Sequence, residues 1–154
     1  LERILITEED LRARVAAMAA EITRDYHDQD LLLVGVLKGA AIFMCDLIRR
    51  MPVPLALDFV AASSYGNAAS SSGAVRMVKE LDEPVRGRNV LLVEDIVDTG
   101  ITVDYLVRHL RRRRAASVKV ATLLDKPSRR QVVVPLDYVG FTVPDVFLVG
   151  YGLD

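Results

Sequence analysis

The sequence predicts a single α/β domain with a mostly parallel central sheet flanked by helices. Three observations carry this expectation. Short, nearly unbroken apolar runs recur at 31–37, 90–93 and 118–124, as in strands covered on both faces. Stretches with helical apolar spacing alternate with them at 8–26, 40–50 and 102–114. The 154 residues, 51% of them apolar, suffice for one core without a disulfide or a structural metal.

The elements follow in order. Thr7 precedes Glu8, Glu9 and Asp10, an N-cap with acids in the first turn. Leu11, Val15, Met18 and Ile22 then mark the apolar face of a helix over 8–26. The strand at 31–37 closes on Lys38-Gly39, and the helix at 40–50 ends before Pro52. A second strand is expected at 55–62. Residues 63–73 hold five serines and two glycines with little that is apolar, so they read as an exposed loop. A strand at 75–79, a turn region at 81–88 and the buried strand at 90–93 come next. A loop over 95–100 opens the helix at 102–114, with Val103, Leu106, Val107 and Leu110 on one face. After the strand at 118–124, extended pieces are expected at 132–134, 138–143 and 147–149.

Composition excludes several function classes. A net charge of −1 gives no global basic field, which argues against nucleic acid as a partner. No apolar run reaches membrane-spanning length and no signal peptide is visible, so no membrane partner and a cytoplasmic location are expected. The lone Cys45 lies in an apolar helical stretch and reads as a buried core thiol. His27 and His109 read as solvated helix positions without zinc spacing. The run Arg111 to Arg114 suits a solvated helix carboxyl end.

In parallel sheets, ligands bind beyond the carboxyl ends of the strands. The most informative such segment is Glu94-Asp95-Ile96-Val97-Asp98-Thr99-Gly100-Ile101-Thr102. Backbone N–H groups at a helix start, two threonine hydroxyls and a glycine that permits close approach form an anion cradle at 98–102. Glu94 and Asp95 are poor anion ligands but good acceptors for vicinal hydroxyls, and they can hold the water around Mg²⁺. Phosphate donors and diol acceptors a few residues apart describe a ribose 5-phosphate site. The bland alternative has Asp98 as a helix cap and both acids merely solvated. The triplet Asp98-Thr99-Gly100 also matches the short signature of aspartic proteases, but those are all-β and this triplet leads into a helix.

A hydrophobic strand, an acidic pair, two apolar residues and Asp-Thr-Gly-x-Thr together resemble the phosphoribosyl-pyrophosphate (PRPP) motif of the type I phosphoribosyltransferases. The order of the surrounding motifs is similar to the branch acting on hypoxanthine and guanine, over nearly the whole chain. The resemblance implies that fold, with a small hood formed by the chain ends and a mobile lid loop. It implies transfer of phosphoribose from PRPP to a 6-oxopurine, hypoxanthine and/or guanine, giving IMP or GMP and pyrophosphate, with Mg²⁺ as cofactor. Asp98 becomes the catalytic base, and Thr99, Gly100, Ile101 and Thr102 bind the phosphate. Lys38-Gly39 matches the pyrophosphate loop, with a cis Leu37–Lys38 peptide. Ser64-Tyr65 heads the lid, which keeps water from the reaction centre. Lys126 contacts the purine 6-oxo group, Phe147 stacks on the base, and the Leu148 backbone reads its edge. Glu94, Asp95 and Asp154 serve the metal, and all three lie by the substrates. A homodimer or homotetramer is expected. The family continues beyond a point equivalent to Asp154, with a downstream arginine, and this chain starts without Met; one domain over 1–154, trimmed at its ends, is therefore expected. A phosphoribosyltransferase for xanthine and a regulatory RNA-binding protein using the same loop as a sensor are the rival readings.

Overall fold

The computed structural model describes residues 3–64 and 74–153. Residues 65–73 of the loop expected over 63–73, including Tyr65 of the expected lid, and the expected metal residue Asp154 lie outside them. Helix α1 spans Glu8–Asp25, and the Thr7 hydroxyl accepts from the Asp10 N–H at 3.1 Å, as the capping pattern requires. Strand β1 (Leu31–Val36) is buried along its whole length. Helix α2 (Ala41–Ile48) follows, then β2 (Leu55–Ser64), β3 (Val75–Lys79) and β4 (Asn89–Val97). Helix α3 (Ile101–Arg112), β5 (Ser117–Asp125), a 3-10 helix at Pro127–Arg129 and β6 (Tyr138–Thr142) complete the order.

The strands form one sheet in the order β3-β2-β1-β4-β5-β6. All neighbours are parallel except β2 and β3, which pair antiparallel at one edge. Alternate residues of the central strands feed two cores. Leu31, Leu33, Leu91 and Val93 pack with Met18 and Ile22 of α1 and Phe43 and Leu47 of α2. Leu32, Val34, Val90 and Leu92 pack with Val103, Leu106 and Leu110 of α3 on the other face. The chain leaves β1 for one side of the sheet and β4 for the other. The crevice between their carboxyl ends is the topological switch point, where such sheets bind ligands.

Several expectations need correction. Strand β4 runs on through Glu94 and Asp95 to Val97 instead of stopping at Val93. Its pairing with β5 persists to Val97↔Asp125, and backbone pairing does not require apolar side chains. Strand β2 likewise includes Ser63 and Ser64, which pair with Arg76 and Val75. Residues 132–134 and 147–149 join no strand; the Gln131 and Val132 N–H groups donate to Thr99 O at 2.8 and 3.1 Å instead. Cys45 is exposed, because α2 turns Phe43, Met44 and Leu47 inward and leaves residue 45 on the outer face. His109 is sheltered against Glu80, 2.9 Å from its carboxylate, whereas His27 is exposed.

Candidate active site

Four segments meet at the carboxyl edge of the sheet. After β1 comes Lys38-Gly39, entered through a cis Leu37–Lys38 peptide as the resemblance implied. Lys38 is exposed, while Gly39 lies against Asp95, where a Cβ on residue 39 would overlap Oδ2. A glycine is required there because no side chain fits between the loop and the acid. The first loop and the acidic pair therefore form one unit, although 56 residues separate their positions in sequence (95 − 39).

After β4 comes the loop Asp98-Thr99-Gly100. Gly100 adopts φ +86°, and a Cβ there would come 2.6 Å from Val132 O. Both facts favour glycine. Gly100 is also the N-cap of α3 and offers no capping side chain, while the Thr99 hydroxyl accepts from the Ile101 N–H at 3.3 Å. Asp98 is thus not the cap, contrary to the bland alternative. The other N–H groups at the positive end of α3 are of the kind that can hold an anion, with Thr99 and Thr102 on either side of Gly100 and Ile101.

The two acids differ in environment. Glu94 is 6% exposed, and its Oε1 accepts from the Asp95 N–H at 3.3 Å. Burial first, then the neighbouring Asp95 carboxylate, hold Glu94 well above the usual carboxylate range. Asp95 is partly exposed, and its Oδ1 accepts from the Ile96 N–H at 2.7 Å. The pair consequently presents one carboxylate to solvent, backed by a second whose burial disfavours its charged form.

Beyond β5, Lys126 is half-buried, and its N–H donates to Val97 O at 2.9 Å. The 3-10 helix then folds the chain back onto the loop at Asp98 and Thr99. Arg130 Nε donates to Asp98 O at 3.1 Å while its Nη2 pairs with Asp125. Arg129 Nε lies 2.7 Å from Asp98 Oδ1, an ion pair without hydrogen-bond alignment. Neither arginine belongs to a motif that the sequence singles out. The signal available was a pair of cations three and four residues after Lys126, just beyond the carboxyl end of a parallel strand.

Beyond β6, Phe147 is 89% exposed, and Leu148 packs against the core from the edge. Gly150, Tyr151 and Gly152 all adopt positive φ, and the Tyr151 hydroxyl donates to Asp46 of α2. This turn brings Gly152 to Ile42 and toward Gly39 O. The segments after β1 and β6 thus converge. Ser64 lies exposed at the end of β2, across β1 from the acidic pair.

An open, mostly parallel sheet with a glycine-led helix start and an acidic pair at its switch point defines an α/β protein of the phosphate-binding class. A family model described as the phosphoribosyl transferase domain matches residues 6–154. The hypoxanthine-guanine phosphoribosyltransferase of Bacillus subtilis (strain 168) is 51% identical over the whole chain, which covers 86% of that protein. The enzyme of the same name from Mycobacterium avium is 49% identical, and the chain spans 79% of it. A crystal structure of a hypoxanthine phosphoribosyltransferase from Staphylococcus aureus superposes with a TM-score of 0.96 at 42% identity, covering all of this chain and 84% of that one. The chain belongs to the phosphoribosyltransferase family, in its hypoxanthine-guanine branch. Among the described residues, no helix is long and apolar enough to cross a membrane.

Proposed function

We propose that this chain transfers the 5-phosphoribosyl group of PRPP to hypoxanthine and/or guanine, a purine-salvage reaction giving IMP or GMP and pyrophosphate. One observation carries the assignment of roles. The loop after β1, the acidic pair, the glycine-led start of α3 and Lys126 all lie at the carboxyl edge of the sheet. The 5-phosphate sits at the N-terminus of α3, held by residues 98–102 and the Thr99 and Thr102 hydroxyls. Asp95, with Glu94 behind it, accepts from the ribose hydroxyls. Lys38 and the Gly39 backbone hold the pyrophosphate. Lys126 donates to the purine 6-oxo group, which a 6-amino purine cannot accept, and Phe147 covers the base. The Leu148 backbone reads its edge. Ser64 and Tyr65 head the lid, and Asp154 stands beside the metal.

The base N9 forms a bond to the anomeric carbon as the bond to pyrophosphate breaks, and the leaving group departs with the electron pair. Positive charge develops on the ribose, and the acidic pair beside it is placed to stabilise that charge. Asp98 takes the proton lost from purine N7. Its Oδ1 is buried and has no aligned hydrogen-bond donor among the described residues, so it is an acceptor awaiting one.

The residues present fit Mg²⁺ held largely by water and substrate oxygens. Among the described residues no cluster of three metal-ligating side chains exists, while Asp95 is accessible beside the loop after β1. One or two carboxylates plus substrate phosphates are the usual Mg²⁺ set. Bound there, the ion would neutralise the charge on the leaving pyrophosphate. A single domain, a cytoplasmic location and a homodimer or homotetramer complete the reading; the family and one continuous sheet with a core on each face support the first.

Purine-dependent pyrophosphate release, measured with PRPP, Mg²⁺ and a panel of hypoxanthine, guanine, xanthine and adenine, tests the reaction. Release with adenine alone, or with no purine, overturns it. Asp98→Asn should lower turnover about a hundredfold or more while changing PRPP binding little. Equal losses in both would remove Asp98 from its role.

A further inference from the structure

We infer that Arg129 is a positioning residue shared between Asp98 and Asp145, and that purine binding shifts it from the first to the second. The inference rests on the role of Asp98 given above. Arg129 is the last residue of the 3-10 helix, and its guanidinium stands between two carboxylates. Nε lies 2.7 Å from Asp98 Oδ1, and Nη1 lies 3.7 Å from Asp145 Oδ1. The two acids belong to segments that flank the expected purine place. Asp98 opens the phosphate loop, and Asp145 precedes Phe147 by two residues.

Two features make the arrangement an exchange instead of a fixed bridge. All three side chains are substantially exposed, at 49%, 39% and 55%, so none is locked by packing. The contact with Asp98 supplies charge without a directed hydrogen bond, leaving Oδ1 unsatisfied. A purine N7–H directed at Oδ1 needs the space that Nε occupies. The guanidinium carries donors along its whole edge, so it can give up Asp98 while closing on Asp145. That movement draws residues 144–148, with the stacking ring, toward the base. Arg129 thus keeps the carboxylate in place before the purine arrives and ties its release to closure over the purine.

The test is a double-mutant cycle on hypoxanthine KM at saturating PRPP, with Asp145→Asn, Arg129→Gln and the double variant. Removing Asp145 takes away the second berth and leaves Arg129 competing for Asp98. Hypoxanthine KM should rise about two- to fivefold, the scale of a partly exposed ion pair. In the Arg129→Gln background the same Asp145→Asn change should have no effect, because nothing remains to compete. KM for PRPP should be constant across the set, and thermal midpoints should confirm that all variants fold. An Asp145→Asn effect of equal size in both backgrounds, or no effect in either, overturns the exchange. Absence of purine-dependent pyrophosphate release from the unmodified protein would instead overturn the transferase reading beneath it.

Discussion

Gly39 faces the carboxylate of Asp95 so closely that a Cβ at residue 39 would overlap Oδ2. The contact joins the loop after β1 to the end of β4 across the switch point of the sheet. It also fixes where the accessible acid of the pair points. Asp95 is confined on one side by Gly39 and held on the other by the Ile96 N–H at 2.7 Å. A diol bound to that carboxylate and an anion bound to the Lys38-Gly39 loop are therefore placed relative to each other by direct contact.

Gly39→Ala should expose that coupling. The added methyl cannot coexist with Asp95 as placed, so the acid must swing aside. A misplacement of about 1 Å near the reacting atoms costs on the order of a hundredfold in rate. We expect kcat/KM for PRPP to fall by about that factor. Stability should change little, because the displaced group is a partly exposed side chain; a loss of Tm within about 4 °C is expected. A variant with unchanged PRPP kinetics would show that Asp95 does not need its observed position.

Glu94 supplies a pH test with a definite sign. Burial and the adjacent Asp95 raise its pKa in the folded chain. A group raised in this way favours folding most below its unfolded value, near pH 4.3, and the advantage is lost as pH climbs through the folded value. Above both, an ionised Glu94 is a burden on the fold. In chelator and without substrate, Glu94→Gln should raise Tm at pH 8 by about 2–4 °C per kcal/mol of burden removed. The gap should narrow steadily as pH is lowered to 5. A gap that does not vary with pH would mean that Glu94 ionises as an ordinary exposed acid does.

Much of this architecture was legible because it depends on local patterning. The apolar runs placed β1, β4 and β5, and the spacing of Val103, Leu106, Val107 and Leu110 placed the buried face of α3. The loop that opens α3 was legible because Asp98-Thr99-Gly100-Ile101-Thr102 is contiguous. What escaped was non-local. The length of β4 depends on β5 beside it, and apolarity alone ended the strand too early at Val93. The contact of Gly39 with Asp95 requires the sheet order, which residue spacing does not encode. Arg129 and Arg130 belong to no local motif in Pro127-Ser128-Arg129-Arg130. Their role depends on a 3-10 helix that folds back over residues 98–100. Cys45 failed for a simpler reason: an apolar stretch is not an apolar face, and residue 45 lies on the outer side of α2.

Arg130 tests whether that fold-back unites the two halves of the site. Its Nε reaches Asp98 O at 3.1 Å and its Nη2 reaches Asp125, immediately before Lys126. One planar guanidinium thereby ties the loop carrying Asp98, the proposed base, to the strand end beside Lys126, the proposed purine contact. The Gln131 and Val132 N–H groups reinforce the tie at Thr99 O, 2.8 and 3.1 Å away. Arg130→Lys keeps the charge but replaces a two-armed fork with a single ammonium, which serves one partner poorly or the other not at all. Losing a charged hydrogen bond in this half-sheltered place costs about 1–3 kcal/mol. The kinetic signature is more telling than the stability loss. Because both loops are released together, KM should rise for PRPP and for hypoxanthine in the same variant. A defect confined to one substrate would mean that the loops are positioned separately, and that the bridge through Arg130 serves the fold alone.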